Sequence, residues 1–251
     1  MPVEDEQFAS GRARNIAGLG ADDDLKKFSR AWQVEAAKHD YIYNFSWLGR
    51  PIIQLPQDVF AMQELIWSVQ PDLIIETGIA HGGSLIFSAS MLELNAACGG
   101  PSEAGVLGVD IDIRPHNRAA IEAHPMARRI SMIQGSSIVP EVIEQVKAQA
   151  AGKQRVLVCL DSNHTHDHVL AELKAYAPLT SVGSYCVVFD TAIEEAPVEM
   201  FADRSWGPGN NPKTAVWELL KTDDRFEIDH GISNKLLITV APGGYLRRIK
   251  E

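Results

Sequence analysis

The chain has 251 residues, 45% of them hydrophobic and 22% charged, with a formal net charge of −10. That length suits one large domain or one domain with an added lobe, and the apolar content builds a core without staples. The acidic balance argues against broad nucleic-acid or anionic-membrane binding, and no apolar run reaches the roughly 20 residues a membrane span needs.

Residues 1–30 are polar and interrupted by glycine, which predicts an arm or a short helix, partly disordered. Residues 31–56 concentrate Trp32, Tyr41, Tyr43, Phe45 and Trp47. The stretch "YNFSWLGRPIIQLP" has no clean period and reads as a loop or lid packed against something. Residues 1–56 are therefore assigned to an N-terminal arm or lid, and 57–251 to the main domain. Residues 57–70 carry a helical apolar stripe that Pro71 stops. Beyond it, strands are expected near 72–77, 105–110, 129–134, 155–160, 184–190, 225–230 and 235–241. Helices are expected at 83–95, 115–123, 138–150, 166–176 and 212–221. Such alternation predicts an α/β, Rossmann-like fold: a mostly parallel seven-stranded sheet with helices on both faces. No crossover helix fits between the last two strands, which read as a C-terminal hairpin with an antiparallel strand. That layout is the one found in class I methyltransferases. Cys159 and Cys186 lie in apolar strand runs and read as small buried hydrophobes. With Cys98 the count is odd and gives no disulfide framework. The start MPVEDEQFAS lacks a basic-then-apolar signal pattern, so a cytoplasmic location is expected.

The stretch "IIETGIAHGGS" carries the first chemical signal. Glu76 and Gly78 end the first strand of the alternating part; His81, Gly82, Gly83 and Ser84 lead into the following helix. In doubly wound sheets ligands sit beyond the carboxyl ends of strands, near the switch point. Glycine admits close backbone approach, and a helix start offers free N–H groups. A dinucleotide site would show GxGxxG. Here an acid stands in the loop, which repels pyrophosphate but can receive the ammonium of an amino-acid moiety. S-adenosylmethionine (SAM) is the first choice of ligand. In "VLGVDID", Asp110 ends the second strand and is placed to accept ribose hydroxyls, with Asp112 as a second candidate. In "MIQGSS", Gly135 and Ser136 are placed to pass near an adenine ring, although Gly-Ser-Ser is also a plain helix cap.

The fourth and fifth strands carry the second signal. "VLVCLDSNHTHDHVLAEL" ends its strand at Asp161, with His164, His166, Asp167 and His168 close behind. "YCVVFDTAIEE" ends at Asp190, followed by Glu194 and Glu195. Adjacent parallel strands bring Asp161 and Asp190 together, where two carboxylates repel unless a proton or a hard cation such as Mg²⁺ relieves them. His164 is a candidate general base or supports the metal site. His166 is left open, His168 reads as packing or surface, and Asp167 as a first-turn dipole residue. "SWGPGNNPKTAVWELL" reads as a flexible loop before a helix, with Trp206 placed to stack on a ring.

Taken in order, "YNFSWLGRPIIQLPQD", "IIETGIAHGGS", "LDSNHTHDHVLAEL", "GSYCVVFDT", "GNNPKTAVWE" and "NKLLITVAPGGYL" resemble the cephalosporin hydroxylase family, which includes rhamnosyl O-methyltransferases. The resemblance spans about residues 40–249. It implies a class I methyltransferase fold, SAM at Glu76, Gly78, Gly82, Gly83, Ser84 and Asp110, and Mg²⁺ at Asp161 and Asp190. An acidic pair is expected on the fifth strand, but Phe189 precedes Asp190 here; His164, Glu194 or water would complete the shell, or the metal binds weakly or not at all. The expected activity is O-methylation of a hydroxyl on a sugar or glycosylated natural product, including polysaccharide precursors, with Asp161 or His164 taking the proton. The expected partner is a small-molecule or glycan substrate, and a homo-oligomer is expected. The rivals are an oxidative enzyme using His164, His166 and Asp161 as an iron triad, and a non-catalytic accessory protein.

Overall fold

The computed structural model describes residues 5–251. Two helices open it, α1 (Glu6–Ala21) and α2 (Asp23–Ala37). Asp22 closes the first and caps the second, its carboxylate accepting the Leu25 N–H at 2.8 Å. Residues 6–30 are thus almost wholly two long helices, where an arm or a short helix was expected; residues 1–4 of that expectation lie outside the described residues. A 3₁₀ turn at Tyr41–Asn44 then leads into an antiparallel hairpin, β1 (Phe45–Trp47) and β2 (Arg50–Ile52). Residues 31–56 are therefore structured, not an aperiodic loop. Three-residue strands are too short to display an alternation. The hairpin's aromatics dock on the body: Trp47 meets Phe87 edge-on at 5.0 Å and donates its indole N–H to Ser90 Oγ at 2.9 Å.

The rest alternates as the apolar pattern predicts. Helix α3 (Pro56–Val69) precedes β3 (Leu73–Thr77), α4 (Gly83–Ala97), β4 (Gly105–Asp110), α5 (Pro115–Glu122) and β5 (Ile130–Gln134). Then come α6 (Pro140–Ala150), β6 (Val156–Leu160), α7 (His166–Tyr176), β7 (Tyr185–Val188), α8 (Pro212–Thr222), β8 (Phe226–Ile228), α9 (His230–Leu236) and β9 (Tyr245–Arg248). The seven-stranded sheet runs β5-β4-β3-β6-β7-β9-β8. Alternate residues feed two cores, Ile74, Leu157 and Val187 on one face, Ile75, Val158 and Val188 on the other. Each fully buried branched aliphatic contributes about 1.5–3 kcal/mol. Cys159 and Cys186 are among these buried residues, and all three cysteines are free thiols.

The C-terminal hairpin needs correction in its parts. Residues 235–241 are not a strand. Asp229 caps α9 by accepting the Gly231 N–H at 3.0 Å, and the chain after Leu236 runs as an irregular buried segment. Its apolarity reflects packing: Val240 N–H donates to the Asp58 carboxylate at 2.9 Å instead of to a neighbouring strand. The antiparallel strand is β9, and it lies between β7 and β8. Both β4 and β6 pair with β3 in parallel, so the crossovers diverge on either side of β3. The carboxyl ends of β3, β4, β6 and β7 therefore border one crevice, where this fold places ligands.

Candidate active site

The left half of the crevice is the loop after β3. Gly78 has φ +91°, and a Cβ there would lie 2.0 Å from the Asp161 carbonyl oxygen, so only glycine lets the β3 and β6 loops touch. A Cβ on Gly83 would strike the Pro51 carbonyl oxygen at 2.1 Å, which seats the N-terminal hairpin on the start of α4. Asp110, at the end of β4, holds this loop through its carboxylate. Oδ2 accepts the N–H groups of Ile79 (2.7 Å) and Ala80 (3.3 Å), and Oδ1 accepts that of Asp112 (2.9 Å). Asp112 itself is exposed, with Arg114 at 3.8 Å. The Gly135 N–H donates to the Asp110 carbonyl at 2.8 Å, which brings Gly135 and Ser136 to the same rim.

Two residues of this half escaped the sequence reading. Arg50, on β2, donates to the His81 carbonyl through Nε (3.0 Å) and Nη2 (2.5 Å), and to Asn117 Oδ1 at 3.1 Å. Asn117, on α5, donates to the Ala80 carbonyl at 2.9 Å. His81 thus enters the site through its backbone. Arg50 stands inside the aromatic stretch that had marked the region, whereas Asn117 carries no sequence signal. Glu76 is buried on β3 and accepts a hydrogen bond from the Ser84 hydroxyl. Burial pushes its carboxyl up to about 7, against the opposing Ser84 hydrogen bond.

The right half is built by β6 and β7. Asp161, His164 and Asp190 each present one donor atom, all within 4.8 Å of one another. His164 Nε2 lies 3.3 Å from Asp190 Oδ2, and the imidazole meets Trp206 edge-on at 5.0 Å. Asp190 sits in the left-handed region, φ 56°, which turns its carboxylate from the strand into the crevice. Burial first, then the charges of Asp190, Glu76, Glu172 and Asp58, hold the Asp161 carboxyl well above the usual range. Asp58, fully buried on α3, accepts from Thr239, Val240 and Tyr245; burial raises it to about 6 despite those bonds.

The remaining acids and imidazoles of the two loops sort themselves by partner. Glu194 accepts from Gly209 N–H (2.7 Å) and Asn211 Nδ2 (2.5 Å), so it ties down the 207–211 loop. Glu195 pairs with Lys213 and with Arg30. Phe189 is buried in the core rather than facing the crevice. His164 is therefore the third donor where a second β7 carboxylate was expected. His166 binds Thr214 Oγ1 (2.8 Å) and Glu218 Oε2 (3.2 Å), which turns it away from Asp161 and leaves no two-histidine triad there. Asp167 is exposed on the first turn of α7. His168 is neither surface nor plain packing: its Nε2 lies 3.1 Å from Ser137 Oγ and 3.3 Å from Ser162 Oγ.

Asp190 also borders a cavity of about 490 Å³ between α2, the segment after β7 and α9, lined by Trp32, Tyr41, Ile193, Phe201 and Trp217 among others. Among the described residues, no helix is long and apolar enough to cross a membrane.

Comparison with known proteins shows the family. The family described as rhamnosyl O-methyltransferase/CmcI matches residues 39–249. A rhamnosyl O-methyltransferase of Mycobacterium tuberculosis is 34% identical over 197 residues, covering 76% of this chain and 73% of that protein. Among solved structures, a CmcI apo structure is similar in fold, with TM-score 0.60, 20% identity and coverage of 83% of this chain and 78% of that one. A CmcI structure with Mg and SAM has TM-score 0.57, 18% identity and the same coverage. The chain belongs to the rhamnosyl O-methyltransferase/CmcI family.

Proposed function

We propose that the acceptor is a hydroxyl on a sugar, and that the two halves of the crevice divide the labour between cofactor and acceptor. By family the chain is a SAM-dependent O-methyltransferase. The observation that carries the reading is the convergence of Asp161, His164 and Asp190 at the ends of β6 and β7, facing the glycine loop, with Asp190 also bordering the cavity.

Glu76 and the loop from Gly78 to Ser84 would receive the methionine end of SAM, the buried carboxylate answering its ammonium. A carboxylate offers about four lone-pair sites, of which Asp110 commits three to backbone N–H groups. The fourth, with the exposed Asp112, would take the ribose hydroxyls, and Gly135 and Ser136 would border the adenine. Asp161 and Asp190 would hold Mg²⁺. Hard oxygen donors with unrelieved repulsion between them suit such an ion. When bound, it would acidify an acceptor hydroxyl. His164, oriented by Asp190, would accept the hydroxyl proton as the acceptor oxygen attacks the methyl carbon in line with the departing sulfur. No covalent enzyme intermediate is needed.

The cavity would seat the rest of the acceptor, with the segment from Lys26 to Tyr43 acting as its lid. Mycobacterial relatives named rhamnosyl O-methyltransferase favour a deoxyhexose. The aromatic N-terminal segment and the family favour self-association of the chain, which sedimentation showing only monomer would refute. The test of the main reading is calorimetric titration of SAM, with and without Mg²⁺, on wild type and Asp161→Ala, followed by methyl transfer to rhamnosides. Binding of SAM that survives Asp161→Ala, and of Mg²⁺ that does not, is the expected result. Absence of SAM binding would sink the reading.

A further inference from the structure

Helix α7 carries three polar side chains on its inner face, His168, Glu172 and Tyr176, spaced four residues apart so that they stack along one stripe. Both ends of the crevice are tied to it. Tyr176 donates its hydroxyl to the Ser137 carbonyl, and Ser137 Oγ lies 3.1 Å from His168 Nε2. The same nitrogen lies 3.3 Å from Ser162 Oγ and 3.6 Å from Glu172 Oε1, and Ser162 Oγ donates to Glu172 Oε1 at 2.6 Å. Ser137 directly follows Gly135–Ser136, and Ser162 directly follows Asp161. One helix face therefore grips the residues next to the adenine-side loop and next to the metal-side loop.

This arrangement is costly as packing. Glu172 is 0% exposed, and its Oε2 is buried with no hydrogen-bond partner among the described residues. A buried oxygen left unsatisfied destabilises the fold, and an apolar side chain at position 172 would fill the space without that cost. The carboxylate's one strong partner is the hydroxyl adjoining Asp161. Its neighbour His168 is the bridge to the other loop.

We propose that His168 and Glu172 are positioning residues that couple the two ends of the site, so that Mg²⁺ at the Asp161 loop and SAM at the Gly135–Ser137 loop tighten each other's binding. The proposal rests on the reading of the site given above. Its mechanism is mechanical: an ion that fixes Asp161 fixes Ser162, and the stripe passes that constraint to Ser137. Coupling between two sites is reciprocal, so either ligand reports it.

The test is calorimetry of SAM with and without Mg²⁺ on the full chain, for wild type, Glu172→Gln, His168→Ala, His168→Gln and Ser137→Ala. In wild type, Mg²⁺ is expected to lower the SAM Kd about fivefold or more. In Glu172→Gln, His168→Ala and Ser137→Ala the Mg²⁺ effect is expected to fall below about twofold while SAM alone still binds. His168→Gln, whose amide reaches toward both serines, is expected to restore part of it. Ser137→Ala removes a single hydroxyl and decides the matter should the Glu172 variant not fold. Full coupling retained in folded Ser137→Ala and Glu172→Gln overturns the proposal, as does a wild type whose SAM affinity ignores Mg²⁺. A wild type that binds no SAM at all instead removes the underlying reading of the site.

Discussion

Arg50 and His81 meet through a forked contact, guanidinium Nε and Nη2 both donating to the His81 carbonyl at 3.0 and 2.5 Å. The N-terminal hairpin therefore holds the glycine loop in shape from outside the sheet. Arg50→Ala frees that carbonyl and leaves Asn117 Oδ1 without its donor. SAM affinity is expected to fall about tenfold, which is about 1.4 kcal/mol. Arg50→Lys is expected to recover only part of the loss, because an ammonium cannot reproduce the fork. Calorimetric SAM binding by the two variants checks this; an unchanged Kd in Arg50→Ala would refute the loop-holding role.

Glu76 imposes a pH dependence whose sign follows from its raised carboxyl. The folded value is about 7 against an ordinary 4.5. Between those values the folded chain holds a proton that the unfolded chain has released. The Glu76 contribution to the stability of the ligand-free protein therefore falls as pH rises from about 4.5 to 7 and is level above that. The full swing is on the order of 3 kcal/mol. Glu76→Gln is expected to flatten this slope and raise the melting temperature at pH 8, while weakening SAM. A cofactor ammonium beside Glu76 would favour the charged form, so binding at pH 6.5 is expected to release protons. Titration in two buffers of different ionisation enthalpy measures that release, and a null difference would separate Glu76 from the ammonium.

The parts legible in the sequence were those set by local pattern. Branched apolar runs marked five of the parallel strands, and glycines after a strand-ending acid marked Gly78 and Gly83, where the backbones close in. Asp161 and Asp190 could be paired because parallel neighbours align their carboxyl ends. What stayed hidden depends on contacts distant in sequence. The run 235–241 is apolar because it is buried against α3 through Asp58, and composition alone does not distinguish that from a strand. The roles of Arg50, Asn117 and Glu172 are written in hydrogen bonds to backbone or to residues on other elements. His166 and His168 look alike in the sequence, yet one faces α8 and the other faces two serines.

Asp161 and Asp190 set opposite expectations for the metal-free and metal-bound protein. Burial and like charges hold the Asp161 carboxyl high. Its ionisation therefore opposes folding once pH passes the ordinary carboxylate range, and continues to do so up to its raised value. Asp161→Asn removes that penalty. The metal-free variant is expected to melt a few degrees higher than wild type at pH 8, at roughly 2–4 °C per kcal/mol for a chain of this size. Added Mg²⁺ is expected to raise the wild-type melting temperature and leave the variant's unchanged. A variant stabilised by Mg²⁺ as much as wild type would place the ion elsewhere.

Glu194 separates loop-holding from metal-holding. Its Oε2 accepts from the Gly209 N–H and the Asn211 amide, and Asn211 in turn caps α8 by accepting the Lys213 N–H at 2.9 Å. Glu194→Ala strands the Gly209 N–H and leaves the Asn211 amide with the Gly207 carbonyl at 2.9 Å. The loss is expected to cost about 1–2 kcal/mol of stability. It also loosens the segment that carries Trp206 against His164. Acceptor KM is expected to rise about fivefold, with Mg²⁺ Kd unchanged within about twofold, since the proposed ligands are Asp161 and Asp190. Glu194→Gln retains an acceptor oxygen and is expected to lie between wild type and Glu194→Ala in both KM and melting temperature. A tenfold loss of Mg²⁺ affinity in either variant would instead make Glu194 a ligand, and the hydrogen bonds to the 207–211 loop would then have to break when the ion binds.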